Sequence, residues 1–89
     1  MRKRELVQEI HDRTGYTKLT VQEITDAMLG CIASELCAGN SVNLGRFGLF
    51  KTARRRSDNT RKPVFVAGRV LKMLVEENEN GNQSIHFTE

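Results

Sequence analysis

Residues 54 to 63 read RRRSDNTRKP, and five of these ten residues are basic. Guanidinium and ammonium groups bind phosphate oxygens through charge-assisted hydrogen bonds, so this run could bind a polyanion. From Arg46 to Lys62 there are seven bases and one acid, a local charge of +6, whereas the whole chain carries +3. This concentration favours a surface that faces a polyanion. A charged hairpin edge that keeps the protein soluble is an equally open interpretation.

No other residues have the spacing of a catalytic site or a metal site. Cys31 and Cys37 lie six residues apart on a predicted helix. This separates them by about 9 Å along the helix axis, so they cannot form a disulfide with each other. The two histidines, His11 and His86, lie near opposite ends of the sequence, which gives no zinc-site spacing. The sequence therefore predicts a non-enzymatic protein without a cofactor, a metal or a small-molecule substrate.

The length and composition limit the size of the hydrophobic core. The 89 residues are enough for one domain, and the chain contains five aromatic residues and no tryptophan. A domain of this size buries only about two thirds of its unfolded surface, so a second copy is the expected source of further burial. The unpaired cysteines predict a reduced, cytoplasmic protein. No apolar run is long enough to cross a bilayer, so no membrane association is expected.

Apolar residues at helical spacing predict three helices. The first covers residues 3 to 14 and ends at Gly15, and the second extends from an N-cap at Thr17 to about Ala38. The third begins at Gly68 and ends near Asn78. The apolar positions of the second helix cover an arc of roughly 200°, wider than one contact face needs. This helix is therefore expected to face both its own core and another chain.

Between the second and third helices the hydrophobic period changes to that of strands. Residues 41–44 and 47–53 alternate, and glycines 45 and 48 favour a tight bend rather than a phosphate-binding loop. A turn is predicted at residues 57–60, followed by a return strand at residues 63–66 with its proline at the start, as on a sheet edge. Residues 84–88 alternate again, so they form a small strand or stay loose. The layout is α+β.

The stretches that carry these elements resemble the HU and integration host factor family of bacterial DNA-bending proteins. The resemblance starts with KRELVQEI, continues through TGYTKLTVQEITDAMLGCIASELCAGNSVNL, is sharpest at GRFGLFK and resumes at PVFVAGRVLK. It covers residues 3 to about 77. The glycine-phenylalanine-glycine-x-phenylalanine signature of the family reads RFGLF here, with Arg46 where a small residue is expected.

The resemblance implies an intertwined homodimer. In the family, two helices from each chain form a base, a small antiparallel sheet forms a saddle above it, and two β-ribbon arms wrap DNA. Each arm carries a proline near its tip that wedges between base pairs. Between Phe50 and Pro63 this chain has only the twelve residues from Lys51 to Lys62, so the arm is predicted to be shortened and the wedge absent. Residues 1–77 form the family domain, and residues 78–89 form a tail that is either a short strand or disordered.

The resemblance also suggests the residues that bind DNA and form the dimer. Strand alternation would put Arg54 and Arg56 on one face of the hairpin and Arg55 on the other. The candidate DNA-binding residues are Lys3, Arg46, Arg54, Arg55, Arg56, Arg61, Lys62, Arg69 and Lys72. The candidate dimer-interface residues are Ile24, Met28, Cys31, Ile32, Leu36, Phe47, Phe50 and Phe65.

Two functions are compatible with these features. The first is a homodimeric, largely sequence-nonspecific, histone-like protein of the cytoplasmic nucleoid. It would hold the phosphates of double-stranded DNA on a basic saddle and kink the duplex little. The second is a protein-interaction module that has lost DNA bending and pairs with, or antagonises, another protein such as a full-length HU relative. The sequence and the resemblance favour the first function, and the second is the alternative.

Overall fold

The computed structural model describes residues 1–78 and 85–87. Within them lie helix α1 at Lys3–Thr14, helix α2 at Lys18–Cys37 and helix α3 at Arg69–Glu77. Three strands separate α2 from α3: β1 at Val42–Asn43, β2 at Gly48–Arg54 and β3 at Arg61–Ala67. The chain folds as two compact units, Met1–Ser34 and Glu35–Glu89. The predicted α+β class and the order of the elements are confirmed.

The helix ends follow the local chemistry of the sequence. Gly15 takes the left-handed conformation, with a φ of 78°, and its N–H donates to the carbonyl of His11 at 2.8 Å. The hydroxyl of Thr17 accepts the backbone N–H of Thr20 at 3.2 Å, as an N-cap does. At the other end of α2, Gly39 is left-handed with a φ of 85°. The predicted boundaries of α1 and α2 are therefore confirmed.

The three strands form one antiparallel sheet in the order β1-β2-β3. Val42 faces Phe50 across β1 and β2, and the β2–β3 hairpin pairs every residue from Gly48 with Ala67 to Arg54 with Arg61. Strand β3 begins two residues before Pro63, so the prediction that the proline starts the strand is wrong. Since β3 is an edge strand in this three-stranded sheet, the missing N–H of proline is tolerated there.

A tight bend links β1 to β2, as the glycine spacing predicts. The φ of Gly45 is 58°, and the side-chain oxygen of Asn43 accepts its N–H at 2.9 Å. The N–H of Leu44 donates to the carbonyl of Gly48 at 2.8 Å and closes the bend. A β-carbon on Gly48 would lie 2.6 Å from the ring of Phe65, so glycine also leaves room for that ring.

Aromatic rings pack together within the second unit. The ring of Phe65 lies 5.5 Å from that of Phe47 and 4.9 Å from that of Phe50, between ring centroids. Phe87 packs edge-on against Phe47, with a centroid distance of 5.5 Å. Residues 85–87 form no strand, and the other residues of the predicted tail strand, Ser84 and Thr88, lie outside the described part of the chain.

The hydrophobic core of a single chain is small. Among the residues that the structure describes, Val7 and Val21 are the only buried hydrophobic side chains. In contrast, Ile24 and Met28 are 59% and 50% exposed, and Phe65 is 40% exposed. The single chain therefore leaves several large apolar side chains in contact with solvent.

A close backbone approach between the bend and α3 gives the first prediction. A β-carbon at Gly68 would lie 2.7 Å from the carbonyl carbon of Arg46, against backbone that cannot rotate away. We expect Gly68→Ala to lower the free energy of unfolding by about 3 kcal/mol, because a well-packed backbone must shift. The measurement is denaturant unfolding followed by circular dichroism.

Gly30 provides the matched control for this substitution. It lies within α2, and a β-carbon there would meet nothing within 4 Å. Gly30→Ala should raise stability by up to about 1 kcal/mol, since alanine is the better helix former. Equal effects of the two substitutions would show that the approach of Arg46 to Gly68 does not constrain the fold.

Candidate nucleic-acid interface

The β2–β3 hairpin distributes its basic residues over both faces of the sheet. Paired residues share a face and alternate along each strand. Lys51 and Lys62 therefore lie on one face, whereas Arg54 and Arg61 lie on the face of the aromatic rings. Strand β2 ends at Arg54, so the prediction that strand alternation sets the faces of residues 55 and 56 is wrong. Those two residues belong to the hairpin loop, residues 55–60.

Arg54 and Arg61 form the last residue pair of the hairpin before the loop. Both guanidinium groups donate hydrogen bonds to backbone carbonyls of the chain. Arg54 donates through Nη1 to the backbone carbonyl of Asn59 at 2.9 Å and so holds the loop. Arg61 donates through Nη2 to the backbone carbonyl of Cys37 at 3.1 Å. This places a cation at the C-terminus of α2, where it satisfies a free carbonyl and complements the helix dipole.

The hairpin loop is closed by its own hydrogen bonds. The N–H of Arg55 donates to the carbonyl of Thr60 at 2.8 Å. The Asp58 carboxylate accepts the hydroxyl of Thr60 at 2.7 Å and its backbone N–H at 3.1 Å. These bonds, and above all the one from the hydroxyl of Thr60, hold the pKa of Asp58 below its ordinary value of 3.8, so its carboxylate stays charged to a lower pH than that of an unbonded aspartate. The exposed side chains of Arg55 and Arg56 have no partner among the described residues.

A second group of cations surrounds the start of α3. Besides the close approach of Gly68 to Arg46, the N–H of Gly68 donates to the carbonyl of Phe47 at 2.8 Å. Arg69 is the first residue of α3, and Lys72 follows one turn later. Gly68 has no side chain to cap the helix, so the amides of the first turn have no side-chain acceptor. A helix N-terminus of this kind favours an anion.

The start of α1 is different, because it already has negative charge. The Glu5 carboxylate accepts the backbone N–H of Arg2 at 3.3 Å, and Glu5 lies in the first turn of the helix. Lys3 forms an ion pair with Asp26 of α2. Both side chains of this pair are more than half exposed, so solvent screens the interaction and its contribution to stability is small.

The structure therefore divides the nine candidate DNA-binding residues into two groups. Three of them are bonded within the chain, namely Lys3, Arg54 and Arg61. The other six have side chains without a partner among the described residues, and we call them the free cations: Arg46, Arg55, Arg56, Lys62, Arg69 and Lys72. Sequence reasoning left out Lys51, which is exposed on the same sheet face as Lys62. The alternation of side chains along the predicted hairpin could have identified it.

Arg61 and Lys62 are neighbours on β3, so the contribution of a bonded cation to stability can be compared with that of a free cation. We expect Arg61→Gln to lower the free energy of unfolding by about 0.5–1 kcal/mol, since it removes a cation from the end of α2. Lys62→Gln should leave stability unchanged within about 0.5 kcal/mol, since this exposed side chain has no described partner. Urea denaturation of the two variants, which lose the same charge, measures the difference. A larger loss in Lys62→Gln would contradict the assignment of Arg61 to the end of α2.

The described residues contain neither a candidate metal site nor a membrane span. Over residues 1–78 and 85–87, no three or more histidine, cysteine, aspartate or glutamate side chains form a group that could hold a metal ion. Cys31 and Cys37 are both exposed free thiols. No helix in that part of the chain is both long and apolar enough to cross a membrane.

Three helices, a small antiparallel sheet and a basic hairpin give the chain the architecture of a small α+β protein. The family model described as bacterial DNA-binding protein matches residues 1–76. The HU-1 protein of Halalkalibacterium halodurans is 32% identical over 90 residues, which cover 85% of this chain and 100% of the relative. The chain belongs to this family of HU-like, histone-like bacterial DNA-binding proteins.

Solved structures support the same assignment. A variant of HU from Thermotoga maritima superposes with a TM-score of 0.77 at 31% identity, covering 84% of this chain and 99% of that one. An Anabaena HU structure crystallised with DNA gives a TM-score of 0.73 at 28% identity, covering 84% of this chain and 97% of that one. The predicted HU-like fold is confirmed.

Proposed function

We propose that the protein is a homodimer that binds double-stranded DNA with little sequence preference. Its free cations would contact the phosphates. The observation that carries the proposal is their position: they lie on the hairpin and around the start of α3, without partners among the described residues. The cocrystal of the similar Anabaena HU with DNA supports the choice of ligand.

Contacts of this kind position a protein on DNA without reading its sequence. Arginine and lysine bind phosphate oxygens, which are the same at every base pair. The first-turn amides of α3 add neutral donors beside Arg69. On the hairpin, Lys51 and Lys62 share the face away from the aromatic rings, so DNA would lie against that face.

We also propose that the hairpin is a shortened arm that bends DNA little. The alignment with the Halalkalibacterium protein is 90 positions long and includes 85% of the 89 residues of this chain, which is about 76 residues. About 14 residues of the relative therefore have no counterpart in this chain. We place the missing residues at the hairpin, where seven-residue strands are joined by the loop at residues 55–60. The single proline, Pro63, pairs with Thr52 inside strand β3 and does not lie in the hairpin loop. Without a wedge, the cost of unstacking a base step is not offset.

The exposed apolar residues support the proposed homodimer. Ile24, Met28 and Cys31 of α2 are exposed in the single chain, and Phe65 keeps 40% of its surface. A second copy that covers these residues would supply the burial that one chain lacks. Together with Ile32, Leu36, Phe47 and Phe50, they form the interface that we propose. A cytoplasmic, nucleoid-associated location and the absence of catalysis are part of the same proposal.

A salt titration tests DNA binding directly. The protein is titrated onto a short duplex between 0.05 and 0.5 M salt, and the logarithm of the binding constant should fall with a slope of about −0.9 per phosphate neutralised. In parallel, energy transfer between dyes on the duplex ends should show less bending than a full-length HU produces. Binding that is unchanged at the highest salt would contradict the phosphate mechanism, and strong bending would contradict the shortened arm.

A second candidate function is a protein-interaction module. It is favoured by the internal bonds of Arg54 and Arg61, which leave the hairpin with fewer cations for DNA, and by the exposed apolar face of α2. Such a chain could form a heterodimer with a full-length HU relative. Mixing the two purified proteins and analysing the dimers by native mass spectrometry distinguishes the cases. Mixed dimers, together with no DNA binding by the homodimer at low salt, would favour the interaction module.

A further inference from the structure

We propose that Ser57 is a phosphorylation site of an arginine-directed protein kinase and that its modification weakens DNA binding. Ser57 follows Arg54, Arg55 and Arg56 directly in the hairpin loop. The consequence for DNA rests on the function proposed above, whereas the modification itself does not.

The loop presents Ser57 in a form that a kinase can use. Residues 54 to 60 are all exposed, and Ser57 lies in the turn between the two hairpin strands. Its hydroxyl has no hydrogen-bond partner among the described residues. Exposed loops can enter an active-site cleft without unfolding the elements that they connect.

Thr60, the other hydroxyl of the loop, is not available in the same way. Its hydroxyl donates to Asp58 at 2.7 Å, and its N–H donates to the same carboxylate at 3.1 Å. A carboxylate two residues before Thr60 would also repel the acidic groove that binds arginines. The structure therefore predicts that Ser57 is modified and that Thr60 is not.

The reaction is a phosphoryl transfer from a nucleoside triphosphate. The oxygen of Ser57 forms a bond to the γ-phosphorus, the bond to the bridging oxygen of the β-phosphate breaks, and the nucleoside diphosphate leaves. The hydroxyl proton passes to a base of the kinase. The partner is a kinase whose substrate groove carries carboxylates, because these can pair with the guanidinium groups of Arg55 and Arg56, which precede Ser57 and have no partner among the described residues.

The phosphoserine would act on the cations around it. It adds about −1.5 to −2 charges at pH 7 and three acceptor oxygens, which Arg55 and Arg56 can pair with, since neither has a partner among the described residues. An arginine that pairs with the phosphoserine is no longer available to bind a DNA phosphate. Since each phosphate contact contributes a salt exponent of about 0.9, losing one contact costs about tenfold at 0.1 M salt.

The test uses the full chain with ATP and the catalytic subunit of an arginine-directed serine kinase, followed by peptide mass spectrometry. We expect one phosphoryl group per chain, at Ser57, and none in Ser57→Ala. Ser41 is the internal control, because it is exposed but follows no arginine. Modification at Thr60 or Ser41 instead of Ser57, or none at all, would overturn the proposed site.

The modified and unmodified proteins are then titrated onto the same duplex at several salt concentrations. At least about a tenfold weaker binding and a smaller salt slope are expected for the modified protein. Equal affinity of the two forms would overturn the proposed effect. If the unmodified protein does not bind, the proposed function fails, and the mass spectrum still decides whether Ser57 is a site.

Discussion

A variant with Arg46, Arg69 and Lys72 changed to glutamine is expected to bind duplex DNA at least about a hundredfold more weakly than the unchanged protein at 0.1 M salt. In the proposed dimer the change removes six positive charges. Each phosphate contact contributes about tenfold at this salt concentration, so the loss of only two contacts is enough for the expected effect.

The three residues are chosen because the backbone brings them to one place. The bend that carries Arg46 lies against Gly68, and α3 begins immediately afterwards with Arg69. The three side chains have no hydrogen bonds or ion pairs among the described residues, so their removal breaks no such interaction there. Glutamine keeps most of the side-chain length and its helix propensity, so α3 should remain folded.

The matched control removes the same number of charges from the residues that are bonded within the chain. Lys3→Gln, Arg54→Gln and Arg61→Gln together should weaken binding by less than about tenfold, but they should also lower stability. Fluorescence anisotropy at several salt concentrations measures both variants. If both lose the same affinity with the same slope, only net charge matters, and the start of α3 is not a distinct binding site.

Local sequence patterns predict the ends of the helices better than the ends of the strands. Gly15, Thr17 and Gly39 fixed the helix ends correctly, because caps depend on a few neighbouring residues. The prediction that Pro63 belongs to an edge strand is confirmed, whereas the prediction that it starts the strand is wrong, because β3 begins at Arg61. The pairing of Thr52 with Pro63 depends on the partner strand, which local pattern does not contain.

The site was less predictable, because basic residues look alike in a sequence. Seven bases between residues 46 and 62 indicate a charged surface. They do not show that Arg61 reaches the end of α2 or that Arg54 holds the loop carbonyl of Asn59. The first bond joins residues that are 24 positions apart in the sequence, and the second joins residues that are five positions apart. These bonds distinguish the cations that stabilise the fold from those that remain available for binding. Only three-dimensional coordinates make that distinction.

The apolar face of α2 gives the prediction with the largest effect on stability. Met28→Glu is expected to abolish the proposed dimer at micromolar concentrations and to remove cooperative thermal unfolding. An unpaired charge buried in an interface costs about 3–5 kcal/mol, and a symmetric dimer would bury two of them. Because a single chain buries only two hydrophobic side chains in its described part, we expect little stable structure without the partner. Sedimentation equilibrium and circular dichroism measure the two effects.

Ala33→Glu serves as the control for helix position. Ala33 is exposed, and it lies about 140° around α2 from Met28, outside the apolar arc. The same charge there should leave the dimer intact and shift stability by no more than about 0.5 kcal/mol. In a symmetric dimer every substitution occurs twice at the interface. The two variants should therefore differ strongly in dimer formation and in thermal stability if α2 forms the base of the dimer. A Met28→Glu protein that remains dimeric and unfolds at the original temperature would place the interface elsewhere on the chain.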